Sequence, residues 1–240
     1  GYSQNWSSGF LPGVFQGTAL KNQGAPIDNL ERSRRLNGSQ QRSQLDLLND
    51  LNRSHLHHAA GDSELAARIE SFELAYRMQM AAPDAIDVDH EPEHIKSLYG
   101  LDNPKCTHFA RQCMMARRMV ERGVRFVQLY HYTWDDHSDL NVKLKENTDK
   151  TDRPSAALIR DLKQRGLLDE TLVVWGGEFG RTPMNEVRRG TSPGKEGRDH
   201  HPFAFTMLMA GGGVRGGQII GRTDDLGYRP VESPIHVHDL

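Results

Sequence analysis

The sequence lacks both a strong excess of charge and a long apolar run. Its 30 Lys and Arg are nearly balanced by 32 Asp and Glu, which leaves a formal net charge of -2. A chain so close to neutral has no electrostatic basis for binding nucleic acid or an anionic membrane surface as its main partner. No apolar stretch approaches the roughly 18 residues of a transmembrane helix. The sequence therefore predicts no membrane insertion and favours a soluble protein.

Cysteine is also scarce. Cys106 and Cys113 are the two in the chain, and they lie two helical turns apart in one predicted helix. Isolated thiols of this kind usually pack near a core, and they indicate no redox compartment. The chain begins at Gly1 without an initiator Met or a basic-then-apolar leader, and it ends directly after a strand-like run. We therefore expect a fragment of a longer protein.

The composition is ordinary for a globular protein, with 36% hydrophobic and 26% charged residues, and it suffices for one α/β domain with a core. Residues 1–122 are predicted to be mainly helix and loop. Leucines at helical spacing indicate an amphipathic helix over 40–56, and apolar residues at the same spacing indicate a second over 62–76. A third helix is predicted over 107–123, with a glycine at its end.

Residues 123–240 are predicted to form the sheet. The segment 124–130 is rich in β-branched and aromatic residues, which is typical of a strand. A helix is predicted over 152–166, with Asp152 as its N-cap and Pro154 in its first turn. A second, almost wholly apolar strand is predicted over 171–177.

This order of strand, helix and strand predicts parallel strands covered by helices on both faces. A further apolar strand is predicted over 203–211, and shorter ones follow it. The predicted fold class is therefore α/β with a mostly parallel central sheet. Residues 1–240 are expected to form a single domain fragment.

Polar clusters flank the predicted strands. "WDDH" at 134–137 follows the first strand, "GEFGRTP" at 177–183 follows the second, and "GRDHHP" at 197–202 precedes the third. Sites in open parallel sheets form beyond the carboxyl ends of the strands, so these clusters are expected to converge on one edge. The side chains expected there are Asp135, Asp136, His137, Glu178, Asp199, His200 and His201.

Carboxylate oxygens combined with imidazole nitrogens suit zinc, manganese or iron, and such a set with an open coordination position is a hydrolytic metal centre. Each cluster taken alone also fits solvated loop residues and helix caps. Arg181 follows Glu178 by three residues. It would hold an anionic substrate group bidentately, or it would form a salt bridge with a neighbouring carboxylate. The sequence leaves these alternatives open.

Two further stretches match known motifs in letters alone. "HEPEH" at 90–94 fits the H-E-x-x-H pattern of zinc proteases, which requires both histidines on one helix face. Pro92 can begin a helix but would break one already running through His90, so no protease is predicted. "GGGVRG" at 211–216 fits a dinucleotide fingerprint, but the β-branched, glycine-punctuated segment after it is not a helix that could face a pyrophosphate. A tight turn is predicted there.

Several longer stretches carry a family resemblance. They are "ARRMVERGVRFVQLY", "WDDH", "DLKQRGLLDETLVVWGGEFGRTP", "GRDHHPFAFTMLMAGGGVRGGQIIGRTDDLG" and the final "HDL". Together they resemble a bacterial family of sulfatase-like proteins, domain-of-unknown-function family 1501, which is placed in the alkaline phosphatase superfamily. The resemblance covers most of the chain, and "GGEFGRTP" with "GRDH" is its most specific part. It implies an alkaline-phosphatase-like αβα sandwich, incomplete here on its N-terminal side, in an exported or periplasmic protein.

The resemblance also implies ligand roles. Asp135 and His137 stand where the superfamily has an Asp and a His ligand of one metal. His200, or less favourably His201, resembles the late histidine that completes that site. Glu178 stands at the aspartate of the superfamily's Asp-His-Gly motif.

Two departures from the superfamily pattern accompany these roles. Phe179 stands at the histidine of that motif, and phenylalanine cannot ligate a metal, which puts a second metal site in doubt. The superfamily's nucleophilic Ser, Thr or Cys comes from the N-terminal part of the domain, which in relatives precedes the residue matching Gly1. No serine in this chain has a supporting base or motif that would nominate it as the nucleophile.

Two functions follow as hypotheses. The first is a metal-dependent hydrolase of phosphate or sulfate esters in the full-length protein, acting on a small anionic ester. Its candidate ligands for a divalent metal are Asp135, His137, Glu178, Asp199 and His200, and its candidate catalytic residues are Glu178 and Arg181. The second is a degenerate superfamily member that binds a ligand or a protein partner without catalysis, which Phe179 favours.

Overall fold

The structure is a computed structural model that describes residues 36–58 and 83–239 continuously. It also describes residues 7, 9, 11, 16–21, 27, 70, 72, 73, 76 and 79. The chain divides into two compact units, 1–87 and 88–240. The position 122/123, where the sequence predicts a change from helices and loops to a sheet, lies inside the second unit.

In the first unit, the helix predicted over 40–56 is confirmed as α1, Gly38–His58. Asn37 precedes it and forms a reciprocal cap with Gln40. The Asn37 side chain accepts the backbone N–H of Gln40 at 2.9 Å, and the Gln40 side chain accepts the backbone N–H of Asn37 at 3.0 Å. Two of the donors that a helix start leaves unpaired are thereby satisfied.

The second predicted helix, over 62–76, lies mostly outside the described residues. Its described positions Glu70, Phe72, Glu73 and Tyr76 are helical. Within the same unit, Arg42 of α1 forms an ion pair with Glu73, with 3.0 Å between Nη2 and Oε2. This contact joins α1 to the segment that contains Glu73.

The core of the second unit lies among its helices, which are α2 (Glu93–Tyr99), α3 (Thr107–Glu121) and α4 (Leu140–Gln164). The prediction of α3 is confirmed. Its apolar face buries Ala110, Cys113 and Met114, and Tyr99 of α2 and Leu162 of α4 are buried with them. Full burial of one large apolar side chain stabilises a fold by about 1.5–3 kcal/mol. Among the described residues, no helix is long and apolar enough to cross a membrane.

Helix α4 begins twelve residues before the predicted N-cap at Asp152, so that prediction is wrong. Pro154, predicted to lie in a first turn, lies inside the helix and is buried. Its missing N–H costs one intrahelical hydrogen bond. The helix continues through it because the preceding turns are anchored: Asn147 and Thr151 are both buried, and the Thr151 hydroxyl donates to the carbonyl of Asn147 at 2.9 Å.

The strands of the second unit form short antiparallel pairs. They are β1 (Leu172–Trp175), β2 (Gly180–Arg181), β3 (His200–His201), β4 (Leu208–Gly211), β5 (Arg222–Thr223) and β6 (Pro230–Glu232). Strand β1 pairs with β4, β2 with β3, and β5 with β6. In the longest pair Leu172 lies opposite Gly211 and Trp175 opposite Leu208. The fold is therefore mixed α/β with small antiparallel sheets.

The mostly parallel sheet expected from the sequence is not what these pairs form. The expectation depended on 124–130 as the first strand, but this segment joins no ladder, and Val124, Phe126 and Tyr130 are exposed. Helix α4 is thus not a crossover between two paired strands. The segments predicted as later strands do contain β1 and β4, but the chain returns between them so that they run antiparallel.

The two motifs that match in letters alone have simple structural roles. Pro92 is the N-cap of α2, so His94 lies in the helix while His90 lies in the turn before it. Gly211, Gly212 and Gly213 form a turn after β4 with positive φ angles. A Cβ at Gly211 would lie 2.3 Å from the carbonyl oxygen of Thr171, so a side chain cannot be accommodated there.

Candidate metal centre

The loop that carries Asp135 and His137 has a residue with a positive backbone φ angle at each end. Thr133 has φ of 79° and Asp139 has φ of 53°. Positive φ at a residue other than glycine costs on the order of 1–3 kcal/mol and persists only when neighbours enforce it. At Thr133 the neighbour is Asn147 of α4, which donates to the Thr133 carbonyl at 2.6 Å and accepts from its hydroxyl at 3.0 Å.

The far end of this loop is tied to the segment before β3. The backbone N–H of Asp139 donates to the carbonyl of Lys195 at 3.0 Å, and that of Arg198 donates to the carbonyl of Asp136 at 3.0 Å. Gly197 lies directly against the His137 backbone, because an added Cβ would be 2.0 Å from the His137 carbonyl carbon. Only glycine permits this approach. The loop bearing His137 is thus fixed to the segment that leads into His200.

The pairing of β2 with β3 brings a cation and an imidazole to the same place. Arg181 lies directly opposite His200 in the register. Directly opposite residues on an antiparallel pair have their Cβ atoms about 4.5–5.5 Å apart, so their side chains meet. The backbone N–H of Thr182 extends the pairing with a 2.9 Å bond to the Asp199 carbonyl.

One carboxylate oxygen, Oδ1 of Asp135, lies at the centre of the cluster. Arg181 Nη1 lies 2.6 Å from it, and the Nε2 atoms of His137 and His200 both lie 2.9 Å from it. The Arg181 guanidinium, followed by the hydrogen bond from His200, holds the pKa of Asp135 well below its usual range. Asp135 is therefore a carboxylate at neutral pH, which is the form that binds a cation.

The side chains of Asp135, His137 and His200 can offer one oxygen and two nitrogens to a metal. These three ligand atoms lie within 4.8 Å of one another. Zinc, manganese and iron all accept this donor set, and three protein ligands leave positions for water or a substrate. Asp135 and His200 are exposed, so solvent reaches the cluster. The residues present therefore fit a catalytic type of divalent metal site.

The other predicted site residues fall outside this group. Glu178 is exposed and pairs with Arg181, with 3.2 Å between Oε1 and Nη2. Asp199 lies on the opposite side of the His137 ring, 3.9 Å from its Nδ1. Asp136 is buried, and this burial raises its pKa. His201 is also buried, and its Nε2 lies 2.6 Å from the carbonyl oxygen of Tyr228.

Phe179 cannot ligate a metal, but it supports residues that belong to the cluster. Its ring lies 4.6 Å from the ring of His200, measured between centroids. The guanidinium carbon of Arg181 lies 5.4 Å from the same ring, within the range of a cation–π contact. Phe179 thus limits the positions that these two side chains can take.

No sequence pattern indicates Glu186 as a site residue. It lies in an irregular segment, and its carboxylate Oε2 is 2.6 Å from Nδ1 of His137. The neighbouring guanidinium of Arg188, more than His137, lowers the pKa of Glu186 below its ordinary value. Glu186, His137 and Asp199 also have ligand atoms within 4.8 Å of one another. Nothing in the local sequence "TPMNEVRR" marks this residue, because its partner lies 49 residues away.

With this geometry established, comparison with known proteins gives one match. The family model described as a protein of unknown function, DUF1501, matches residues 1–240. The chain belongs to this family. Neither a curated protein nor a solved structure matches it. The predicted membership in domain-of-unknown-function family 1501 is thereby confirmed, and the description of that family names no activity.

Proposed function

We propose that the full-length protein is a metal-dependent hydrolase of phosphate or sulfate esters, sulfatase-like and of the alkaline phosphatase superfamily. The observation that carries the proposal is the convergence of Asp135, His137 and His200, whose ligand atoms lie within 4.8 Å of one another. In this proposal the metal is zinc, manganese or iron, the substrate is a small anionic ester, and the protein is exported. The αβα sandwich with a mostly parallel sheet belongs to the same proposal and is supported by the sequence motifs alone.

The side chains around the cluster would divide the work as follows. Asp135, His137 and His200 hold the metal, which when bound polarises an ester oxygen and lowers the pKa of a bound water. Arg181 lies within reach of the same carboxylate oxygen, at 2.6 Å. Its planar guanidinium binds two oxygens of a phosphate or sulfate group at once, which orients the ester. Glu178 holds the other side of the guanidinium at 3.2 Å and is the candidate base.

A second candidate is a binding protein without catalysis. It is favoured by the charge balance of the cluster, because Arg181 already pairs with both Asp135 and Glu178. A carboxylate that is hydrogen-bonded to both Arg181 and His200 is compensated without a metal. Phe179 adds to this view, since it occupies a position where the superfamily has a ligand. The two candidates differ in one measurable property, the metal content.

The test is elemental analysis of the purified full-length protein, with Asp135→Asn beside Asp46→Asn. The control is matched, because both aspartates are 60–61% exposed and both pair with an arginine. We expect near-stoichiometric zinc, manganese or iron in the wild type and in Asp46→Asn. Asp135→Asn should bind the metal at least about 10-fold more weakly. Changes to residues that only contact a metal ligand already cost that much, so the loss of a ligand should cost no less.

Hydrolysis of p-nitrophenyl phosphate and p-nitrophenyl sulfate is measured on the same samples. Turnover that follows metal content supports the hydrolase. A wild type that is repeatedly free of metal, or an Asp135→Asn variant with unchanged metal, overturns it. Metal-free wild type that retains its fold is the outcome expected of the binding protein.

A further inference from the structure

The two ring nitrogens of His137 have different partners. Nε2 lies 2.9 Å from Asp135 Oδ1, on the side where His200 also lies. Nδ1 lies 2.6 Å from Oε2 of Glu186. Both His137 and Glu186 are largely buried, with side chains 17% and 14% exposed. The ring therefore separates a candidate metal position from a carboxylate.

We infer that Glu186 is a positioning residue, which accepts the Nδ1–H of His137 and thereby presents Nε2 as the ligand nitrogen. A neutral imidazole carries one proton, so a proton held at Nδ1 leaves the Nε2 lone pair free. A carboxylate at the second nitrogen also fixes the ring orientation and raises its basicity as a ligand. The inference rests on the proposed metal function, since it needs an ion at Nε2 to matter.

The carboxylate of Glu186 is itself fixed in place. Its Oε1 accepts from Nε of Arg188, which leaves Oε2 directed to His137. Its backbone exchanges two hydrogen bonds with Gly197, at 2.8 Å and 3.3 Å. Gly197 is the residue that lies against the His137 backbone. Hydrogen bonds of both the side chain and the backbone therefore fix the position of Glu186 relative to the His137 ring.

The same contacts argue against a second metal between Glu186, His137 and Asp199. A separation of 2.6 Å between Nδ1 and Oε2 is that of a short charge-assisted hydrogen bond. Asp199 is 59% exposed and 3.9 Å from Nδ1. We therefore interpret Glu186 as a hydrogen-bond partner that orients the His137 ring, and not as a ligand of a second metal.

The first experiment reads the proton directly. In ¹⁵N-labelled full-length protein freed of metal by a chelator, long-range ¹H–¹⁵N spectra show which ring nitrogen of His137 carries a proton. We expect the Nδ1–H form in the wild type and in Glu186→Gln, whose amide oxygen still accepts. Glu186→Ala should release the ring to populate Nε2–H. An unchanged tautomer in Glu186→Ala overturns the inference.

The second experiment measures the affinity for Zn²⁺ alone, by competition with a chelator. Glu186→Ala should weaken binding about 10–100-fold, and Glu186→Gln should restore part of the loss. Glu196→Gln is the matched control, because Glu196 lies in the neighbouring segment and its carboxylate binds the Gly194 N–H at 2.9 Å instead of a histidine. The Zn²⁺ affinity of Glu196→Gln should equal that of the wild type.

The outcomes separate the two proposals. If the wild type binds Zn²⁺ and Glu186→Ala binds it equally well, the positioning role is overturned and the metal centre stands. If the wild type does not bind Zn²⁺, the metal function is overturned, and the role of Glu186 falls with it whatever the tautomer.

Discussion

Two charged clusters in the second unit both contain an arginine paired with a carboxylate, but they differ in burial. Arg117 is 1% exposed and faces three carboxylates, those of Glu91, Glu121 and Asp161. Asp135 is 60% exposed and faces Arg181 with two histidines. One cluster is a cation surrounded by anions among the helices. The other is an anion surrounded by donors on a loop.

The difference in burial indicates what each cluster can do. Burial makes each charge in the Arg117 cluster depend on its partners, because an uncompensated charge there cannot be solvated. Arg117 makes its Nε and Nη2 contacts as ion pairs and not as aligned hydrogen bonds. The Asp135 cluster is open to water, so a partner can leave it at little cost. Exchange of partners is what binding a metal or a substrate requires.

The largest expected effect is that of Arg117→Met. We expect a loss of roughly 3 kcal/mol in the free energy of unfolding, the lower end for a broken buried pair. The loss stays at that end because Glu91 keeps Arg118 and Asp161 keeps Arg165. Urea denaturation measures it. Arg111→Met, on the same helix with a partly exposed pair to Asp89, should lose at most about 1 kcal/mol. Equal losses would show that burial does not distinguish these pairs.

Acid should weaken the buried cluster. Burial alone would raise the pKa of Glu91, but Arg117 and Arg118 lower it below its ordinary value. A carboxyl with a lowered folded pKa contributes stability above its unfolded pKa, near ~4.3, and loses it as pH falls through the folded pKa. We therefore expect the Tm of the wild type to fall below about pH 4.3. Glu91→Gln should start lower at pH 7 and decline less steeply, and parallel curves would contradict this.

A smaller effect is expected at Asn147 of α4, which holds the loop that carries Asp135 and His137. Asn147→Ala removes both bonds to Thr133 and leaves its carbonyl without this partner. The expected loss of unfolding free energy is about 1–3 kcal/mol, and the loop over 134–138 should exchange its amide protons faster. Asn141→Ala, at an exposed position of the same helix, is the control. Similar values for the two variants would remove Asn147 from its role in the loop.

The smallest effect should be that of removing a largely exposed lysine, Lys145, from its ion pair. Lys145 on α4 is 74% exposed and contacts Asp149 at 3.1 Å. Lys145→Ala should change the free energy of unfolding by no more than about 0.5 kcal/mol. Asp149 also keeps Lys105 at 2.9 Å. Thermal melts measure the change, and a loss above about 1 kcal/mol would mean that exposure is a poor guide to these energies.

The elements that the sequence predicted well are those with a local signal. The apolar spacing over 40–56 and 107–123 corresponds to α1 and α3, and β-branched residues mark β1. The strands were predicted to pair in parallel, whereas the described strands pair antiparallel. Apolar composition identifies a strand but not its partner or its direction. The sequence does not predict the start of α4, because Pro154 indicates a first helical turn and the bond from Asn147 to Thr133 outside the helix has no local signal.

The same contrast between local sequence signals and distant contacts applies to the candidate site. Asp135, His137 and His200 were expected to meet because their segments flank predicted strands, and the structure brings their ligand atoms within 4.8 Å. They meet because backbone hydrogen bonds tie the loop that carries Asp135 and His137 to the segment that leads into β3, a contact that the sequence did not indicate. Glu186 and Asn147 were missed, because a polar residue in an irregular segment or in a helix has no pattern that reveals a distant partner.

The exposed sheet of β1 and β4 has a consequence for the protein in concentrated solution. Within 36–58 and 83–239, neither strand has a ladder partner on its outer edge. Val174, Trp175 and Leu208 on these strands are about half exposed. An open apolar edge is a template for pairing with another molecule, and a net charge of -2 provides little repulsion to prevent it. We therefore expect any self-association of this chain in concentrated solution to begin at this sheet.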